Sequence, residues 1–596
     1  MPDILTSKNM RNDWRKDRKL IVKLIRFVGI KQVIKLGLVV LATSVFEVLG
    51  VASIASSFGV MGGSGNLVVP TWLQSTTNMF FTGTTELDTH KLLILALVFL
   101  TLTMLANLLS SYLVFRAVNF NKSALATRIL SKYLAKEYAE FIDLNTDDLG
   151  KNLLVEVNRI SGGVLFSLLN VASSLIFLII ITSLLAIANL EALISISITM
   201  LTIYFVLYFA LSRLISNFGL HVTNATSKRF KIAAESFQQI KVVKLNNLED
   251  DIVDQFRAYS DRQAKYQSLA NVIKISPRYL VEWFVFCSSI LVFLLFFSNV
   301  PFEIILPYAA LYALAGYKIL PSLQKIYTGF MSIKETKWAL ALIENELDQQ
   351  DQEPIQTKPK MKLPIKPKIA CKDLSLLVGS EKKVLLHGIN LEINSGEKVA
   401  VVGHSGSGKS SLLNVLSGLL PPSNGTICVD GMRLHKDILT QDWNKIIGYV
   451  PQAVNLFDDT ILRNITLTFG SDSYDLERLN SSIHLSALDD VINSRKDAIL
   501  TAVGDNGIKL SGGQIQRLGI ARALYKEPKI LILDEATSSL DRKTEEKIIN
   551  RIFSAEPRLT IISVTHRPET LNLYDAIVYM EGGTIRSVKR PPFSIT

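Results

Sequence analysis

The chain has 596 residues, of which 48% are hydrophobic and 20% charged, with a formal net charge of +11 and a mean hydropathy of +0.29. That length predicts two to four domains, and that apolarity excludes an ordinary soluble enzyme. The three cysteines, Cys287, Cys371 and Cys428, have neither paired nor metal-like spacing, which excludes a disulfide scaffold and a zinc site.

Taken in chain order, the sequence opens on a basic block. Lys8, Arg11, Arg15, Lys16, Arg18, Lys19, Lys23, Arg26, Lys31 and Lys35 all come at or before the start of the first apolar stretch. Cations placed there fit a cytoplasmic membrane flank. A nucleic-acid partner is not expected, because no basic groove pattern interleaved with aromatics is present. A cleavable signal peptide is not expected either, since the basic region is too long and no small-residue cleavage site follows it.

Six apolar stretches follow, near 33–61, 91–115, 162–188, 190–214, 278–299 and 302–322. Each is near or above the roughly 20 residues that a helix needs to cross a bilayer. Lys and Arg are absent from Gly62 to His90, from Asn189-Leu190-Glu191 and from Ser298-Asn299-Val300-Pro301, which places those loops outside. The N-terminal block and the regions 116–161 and 213–275 are rich in cations and face the cytoplasm. A multi-pass protein of the cell (inner) membrane with both termini cytoplasmic satisfies every loop.

The two long cytoplasmic connections are helical in pattern. Glu140 to Val157 contains a turn at Asp143-Leu144-Asn145-Thr146-Asp147-Asp148, and Phe237 to Phe256 contains another near Leu245-Asn246-Asn247. Each predicts either a short transverse helix that docks on a soluble domain or a solvated hairpin without mechanical role; a soluble domain downstream favours docking. Residues 348–368 are rich in Pro, Lys and Gln and cannot pack a core, so the chain is cut into 1–347, a linker 348–368, and 369–596. From Ile369 onward, short β-branched strands alternate with helices, which predicts an α/β domain.

Gly403-His404-Ser405-Gly406-Ser407-Gly408-Lys409-Ser410 lies between the strand Lys398 to Val402 and the helix opening at Ser411. This is a phosphate-binding loop in its expected context. Gly403, Ser405, Gly406, Gly408 and Ser411 belong to the phosphate cradle, Lys409 neutralises the β/γ charge of ATP, and Ser410 holds Mg²⁺. Leu510-Ser511-Gly512-Gly513-Gln514 then precedes the apolar strand Ile530 to Leu533, which ends in Asp534-Glu535. Ser511, Gly513 and Gln514 at a helix start offer N–H groups and a hydroxyl to a γ-phosphate held by a second copy. Asp534 is expected to reach Mg²⁺, and Glu535 to polarise the attacking water as general base. Gln452, after Tyr449-Val450-Pro451, is placed to sense the γ-phosphate or Mg²⁺; His566, after the strand Leu559 to Val564, to contact the γ-phosphate; and Asp541 in a subunit-crossing loop.

Together these residues resemble the ABC transporter superfamily, and the order of six spans followed by an ATPase resembles a half-exporter whose cytoplasmic loops cross to the opposite ATPase. The resemblance implies a membrane all-α six-helix exporter-type domain followed by an α/β P-loop ABC ATPase. By motif position it makes Gln452 the Q-loop residue, Ser511 and Gly513 the signature, Asp534 the Walker B acid, Glu535 the catalytic base and His566 the switch histidine. Two positions depart from the pattern. Val378 stands where an adenine-stacking Tyr is expected, a loss of about 1 kcal/mol. Thr501 to Gly507 keeps an acid at Asp505 but carries Asn506 where a charge is usual.

Cargo must be read from the membrane half. Ionisable residues within or beside the spans are Glu47, Arg116, Arg278, Glu282 and Lys318. Arg116, Arg278 and Lys318 lie toward the inner leaflet, where they either surround an anionic head group or snorkel and pair locally, as Arg278 does with Glu282 at helical spacing. Phe46 to Ile54, Ile240 to Leu245, Pro277 to Glu282 and Tyr317 to Ser322 resemble bacterial lipid-linked oligosaccharide flippases. That resemblance implies a homodimer in the lipid bilayer that moves an anionic lipid-linked glycan from the inner to the outer leaflet. The alternative is export of a peptide, lipid or amphipathic small molecule.

Overall fold

The computed structural model describes residues 89–142, 145–188, 190–296, 302–343, 367–378, 383–469 and 473–590, with a few positions between 38 and 45. Most of the predicted span 33–61, Glu47 included, the loop 62–88 and nearly all of the linker lie outside the described residues. Two compact units emerge: Met1–Ala135 with Asn145–Gln352, and Lys136–Leu144 with Glu353–Thr596.

The first unit is built of long helices: α1 (Thr89–Ala135), α3 (Thr146–Lys151), α4 (Val157–Ile160), α5 (Phe166–Ala188), α6 (Leu190–Gln238), α7 (Ile240–Leu245), α8 (Glu249–Phe296) and α9 (Phe302–Leu342). No Gly or Pro interrupts α1. Its 47 residues reach about 70 Å at the usual rise, more than twice the roughly 30 Å of bilayer hydrocarbon. The spanning helices therefore run well past the membrane, and the apolar stretches mark only their lipid-facing parts. Among the described residues, Leu97–Ala135, Thr146–Ser183 and Met200–Gln238 are long and apolar enough to cross a membrane. The turn expected around Asp143–Asp148 is in part the start of α3: the Asn145 side chain accepts from the Asp147 N–H, and two acids sit in the first turn. Two π turns, Asn152–Glu156 and Ser161–Leu165, flank α4.

Close helix contact in this unit depends on glycine. A Cβ on Gly219 of α6 would lie 2.1 Å from the Glu335 carbonyl oxygen of α9, and one on Gly163 would lie 2.1 Å from the Thr336 hydroxyl. Beside that contact, the Glu335 carboxylate pairs with Lys274 of α8 at 2.6 Å and accepts from Gln267 at 2.9 Å. A second buried carboxylate, Glu156, pairs with Arg159 at 3.0 Å, and Arg159 also donates to Thr223. Buried charges need such partners. The short helix α7 exposes Ile240, Val242 and Leu245 while burying Val243.

The second unit begins with α2 (Tyr138–Ile142), whose residue Ala139 packs against the core of this unit. That core lies between two sheets. An antiparallel sheet has the order β2-β1-β4-β5, made of Lys383–Ile393, Ile369–Val378, Asn424–Val429 and Met432–Arg433. The other has the order β10-β9-β3-β8-β7-β6. In it β3 (Lys398–Gly403), β6 (Ile447–Val450), β7 (Ile530–Asp534), β8 (Thr560–Val564) and β9 (Ala576–Glu581) run parallel, and β10 (Thr584–Lys589) is antiparallel at the edge. β7 and β8 are buried along their whole length, which explains their unbroken apolar sequences. Helices α10 (Lys409–Leu416), α11 (Thr440–Lys445), α12 (Ile461–Thr466), α13 (Leu476–Leu485), α14 (Asp489–Asn493), α15 (Gly512–Tyr525) and α16 (Arg542–Ala555) complete the unit. Trp443 of α11 is fully buried and donates its indole N–H to the Leu416 carbonyl. The buried Lys398 ammonium donates to the carbonyls of Gly396, Pro557 and Leu559.

Candidate nucleotide site

Four parallel strands deliver their carboxyl ends to one place. β3 ends at Gly403, β7 at Asp534, β6 two residues before Gln452, and β8 two residues before His566. Ligands bind at this edge of open parallel sheets because loops and helix N-termini converge there.

The loop after β3 is shaped for an anion. Gly406 and Gly408 adopt φ of 77° and 97°, a region that favours glycine, and Gly408 is the N-cap of α10. A Cβ on Gly403 would meet the Met580 carbonyl at 2.3 Å, so only glycine allows the loop to lie this close to β9. Lys409 donates to the carbonyls of Gly403 and His404, both at 2.9 Å, and so closes the loop on itself. The Ser407 hydroxyl is buried without a partner. An orphaned hydroxyl beside a lysine and a helix N-terminus is what a phosphate oxygen would satisfy. Ser405 and Ser410 are exposed and Ser411 is half-buried at the start of α10.

Beside this loop, the Ser410 hydroxyl donates to Asp534 Oδ1 at 3.1 Å, and the Tyr449 hydroxyl reaches Asp534 Oδ2 at 3.4 Å and Asn414 Oδ1 at 3.3 Å. Ser410 and Asp534 thus form an oxygen pair of the kind that holds a hard divalent cation. Burial, aided by the neighbouring Glu535 charge, pushes the Asp534 carboxyl up from its ordinary range. Burial and then the Asp534 charge push the Tyr449 phenol up as well.

Glu535 stands just past β7 with φ of 49°, an unusual setting for a non-glycine residue that turns its carboxylate out of the strand. Gln452 Nε2 donates to Glu535 Oε2 at 2.8 Å, and His566 Nε2 lies 2.9 Å from Glu535 Oε1. Three residues predicted from separate motifs therefore meet at one carboxylate.

The Ser511 segment forms a different surface. Ser511 caps α15 in a reciprocal box: its hydroxyl accepts from the Gln514 N–H, and Gln514 Oε1 accepts from the Ser511 N–H. Capping uses a lone pair of the hydroxyl and leaves its proton free to be donated elsewhere. Gly513 packs against Ser539 and Leu540, where a Cβ would be tight. Asp541 caps α16 by accepting from Thr544, a bond that holds its carboxyl below the usual range. Val378 ends β1 opposite Lys383 and packs against the sheet core.

In the membrane half, Arg116 lies over the Phe120 ring at 5.6 Å, and Arg278 donates to Glu282 at 2.7 Å while remaining 56% exposed. Both cations are engaged on their own helices. Lys318 lies on α9, and its side chain is outside the described residues. Sequence reasoning missed Tyr449 and Asn414. Tyr449 stands in the segment that carries Gln452, but nothing local signals a partner that lies 85 residues away.

Comparison with known proteins bears on both halves. The ABC transporter family matches residues 386–538, and the ABC transporter transmembrane region matches residues 53–314. The chain is 41% identical over 208 residues to an ATP-dependent lipid A-core flippase of Ralstonia nicotianae, a match covering 35% of each chain. It is 38% identical to a putative export ATP-binding/permease protein of Rickettsia typhi over 34% of each chain. It is also 40% identical to the mitochondrial ABC transporter B family member 24 of Arabidopsis thaliana, over 34% of this chain and 30% of that one. The chain thus spans about a third of the length of the curated relatives it matches. A solved structure of a bacterial Atm1-family ABC exporter with ATP bound shares the fold, with a TM-score of 0.78 over 94% of this chain and 95% of that one, at 20% identity. The chain belongs to the ABC transporters, with a helical transmembrane region and an α/β nucleotide-binding domain on one polypeptide.

Proposed function

We propose that the chain is an ATP-hydrolysing exporter that works as a homodimer in the cell membrane. The observation that carries the reading is the single carboxylate of Glu535, held between Gln452 and His566 beside the phosphate loop. ATP lies with its phosphates along Gly403 to Ser411, where Lys409 exchanges its two carbonyl partners for phosphate oxygens. Ser410 and Asp534 would hold Mg²⁺, with Gln452 beside them, and the cation would supply neutralisation of phosphate charge. The Gln452 and His566 contacts orient Glu535, which takes the proton of the attacking water, and His566 contacts the γ-phosphate. Ser511, Gly513 and Gln514 of the second copy close the site, with Asp541 at the crossing between subunits. Every motif that binds the phosphates or hydrolyses them is present on this chain, so two copies complete two sites.

Glu535→Gln keeps the size and the Gln452 bond but cannot accept a proton. It should bind ATP while losing turnover by about 10²–10⁴-fold. Turnover within tenfold of the parent would show that the base is misassigned.

For cargo we propose an anionic lipid-linked glycan, flipped from the inner to the outer leaflet. Relatives named as lipid flippases support a lipid cargo, and cations at Arg116, Arg278 and Lys318 suit a diphosphate head group. Nε of Arg278 is engaged by Glu282, which leaves the two terminal nitrogens for phosphate. In proteoliposomes, Arg278→Ala with Lys318→Ala should reduce flipping of a polyprenyl-pyrophosphate glycan at least tenfold. Unaltered flipping refutes this cargo and favours export of a peptide or amphipathic small molecule.

A further inference from the structure

Tyr449 has no role in the reading above, yet it joins two places that matter. Its hydroxyl lies within hydrogen-bonding reach of Asp534 Oδ2 at 3.4 Å and of Asn414 Oδ1 at 3.3 Å. Asp534 therefore has a hydroxyl on each carboxylate oxygen: Ser410 from the first turn of α10 and Tyr449 from β6. Ser410 alone leaves a carboxylate free to rotate about its last bond, whereas two donors on opposite oxygens fix its plane. A phenol carries one proton and here faces two acceptors, so the hydroxyl has two settings, one on Asp534 and one on Asn414. The body of Tyr449 packs against the core of the domain. The backbone of Tyr449 is held in register with Ile532 on β7, two residues before Asp534.

We propose that Tyr449 is a positioning residue: its hydroxyl orients Asp534 for the divalent cation. The proposal rests on the assignment of Asp534 to the metal and does not depend on the cargo.

The test uses the full-length chain in lipid nanodiscs, in a Glu535→Gln background that retains ATP, with Mn²⁺ followed by electron paramagnetic resonance. Tyr449→Phe removes one oxygen and preserves the ring. It should weaken Mn²⁺ binding in the presence of ATP at least about tenfold, the effect of one hydrogen bond to a charged group. ATP affinity measured in EDTA should be unchanged. Unchanged Mn²⁺ affinity in Tyr449→Phe overturns the proposal, as does an equal fall in metal-free ATP affinity, which would mark a purely structural role. Asp534→Asn serves as the control: if it retains Mn²⁺, the metal assignment itself is wrong and the proposal falls with it.

Discussion

Replacing Gly219 by alanine tests the crossing of α6 and α9. The new Cβ would lie 2.1 Å from the Glu335 carbonyl oxygen, against ordinary contact that begins near 3.4 Å, so the helices must separate by about 1.3 Å. The obstacle is backbone, and no rotamer change relieves it. Trp338 Nε1 donates to the Ser216 carbonyl at 3.1 Å across the same pair of helices, and a shift of that size breaks this bond. Overpacking at about 1–3 kcal/mol and one lost hydrogen bond at about 1 kcal/mol together predict a loss of roughly 2–4 kcal/mol. Gly163→Ala provides the contrast. Its obstacle is the Thr336 hydroxyl, a side-chain atom that can rotate away at the expense of its bond to the Ser332 carbonyl. Thermal unfolding of the detergent-solubilised chain should therefore show Gly219→Ala lowering the transition of the helical unit at least twice as far as Gly163→Ala. A Gly219→Ala transition at the parental temperature, or the reverse order of the two variants, would refute the packing argument.

Val378→Tyr restores a ring at the end of β1 and should tighten ATP binding by about 1 kcal/mol, roughly fivefold; a fluorescent-nucleotide titration with no change would show that adenine does not lie there. Lys398→Met leaves three carbonyls, that of Leu559 buried, without their donor and should destabilise the nucleotide-binding domain by about 2–4 kcal/mol, read as a drop in its unfolding transition. An unchanged transition would mean that water replaces the ammonium. Ser511→Ala removes the cap of α15, at about 1 kcal/mol, and the hydroxyl proposed to reach the second copy's γ-phosphate. ATP-driven dimerisation of the nucleotide-binding domains should weaken more than fivefold while ATP binding to the monomeric form persists, and equal losses in both would place Ser511 outside the shared site.

The chemistry of the site was legible because each piece is local. The phosphate loop needs glycines between a strand and a helix, and Asp534-Glu535 needs an apolar strand before it; both patterns lie within short windows. Convergence of Gln452 and His566 on Glu535 was foreseeable only through the order of motifs, since the three residues come from different strands. Tyr449 was not legible, because its role exists only once β6 lies beside β7. In the membrane half, apolarity marked the lipid-facing parts of the helices but not their ends: α1 continues to Ala135 and α6 to Gln238 through charged sequence. The two π turns around α4 were invisible, since a single extra residue in a helical turn leaves no compositional trace. The first transverse helix, Tyr138–Ile142, precedes the polar turn by which it was sought; Asn145 and the acids that follow start the next helix instead.

The five residues of α2 belong by packing to a domain whose remaining chain begins more than two hundred residues later. A gene fragment cut at the linker would encode a nucleotide-binding domain with one of its own tiles missing. The cradle around Ala139 would then lie open to water. Turnover measured on such a fragment would describe an incomplete domain, and a peptide of residues 136–144 supplied in trans would be its missing part.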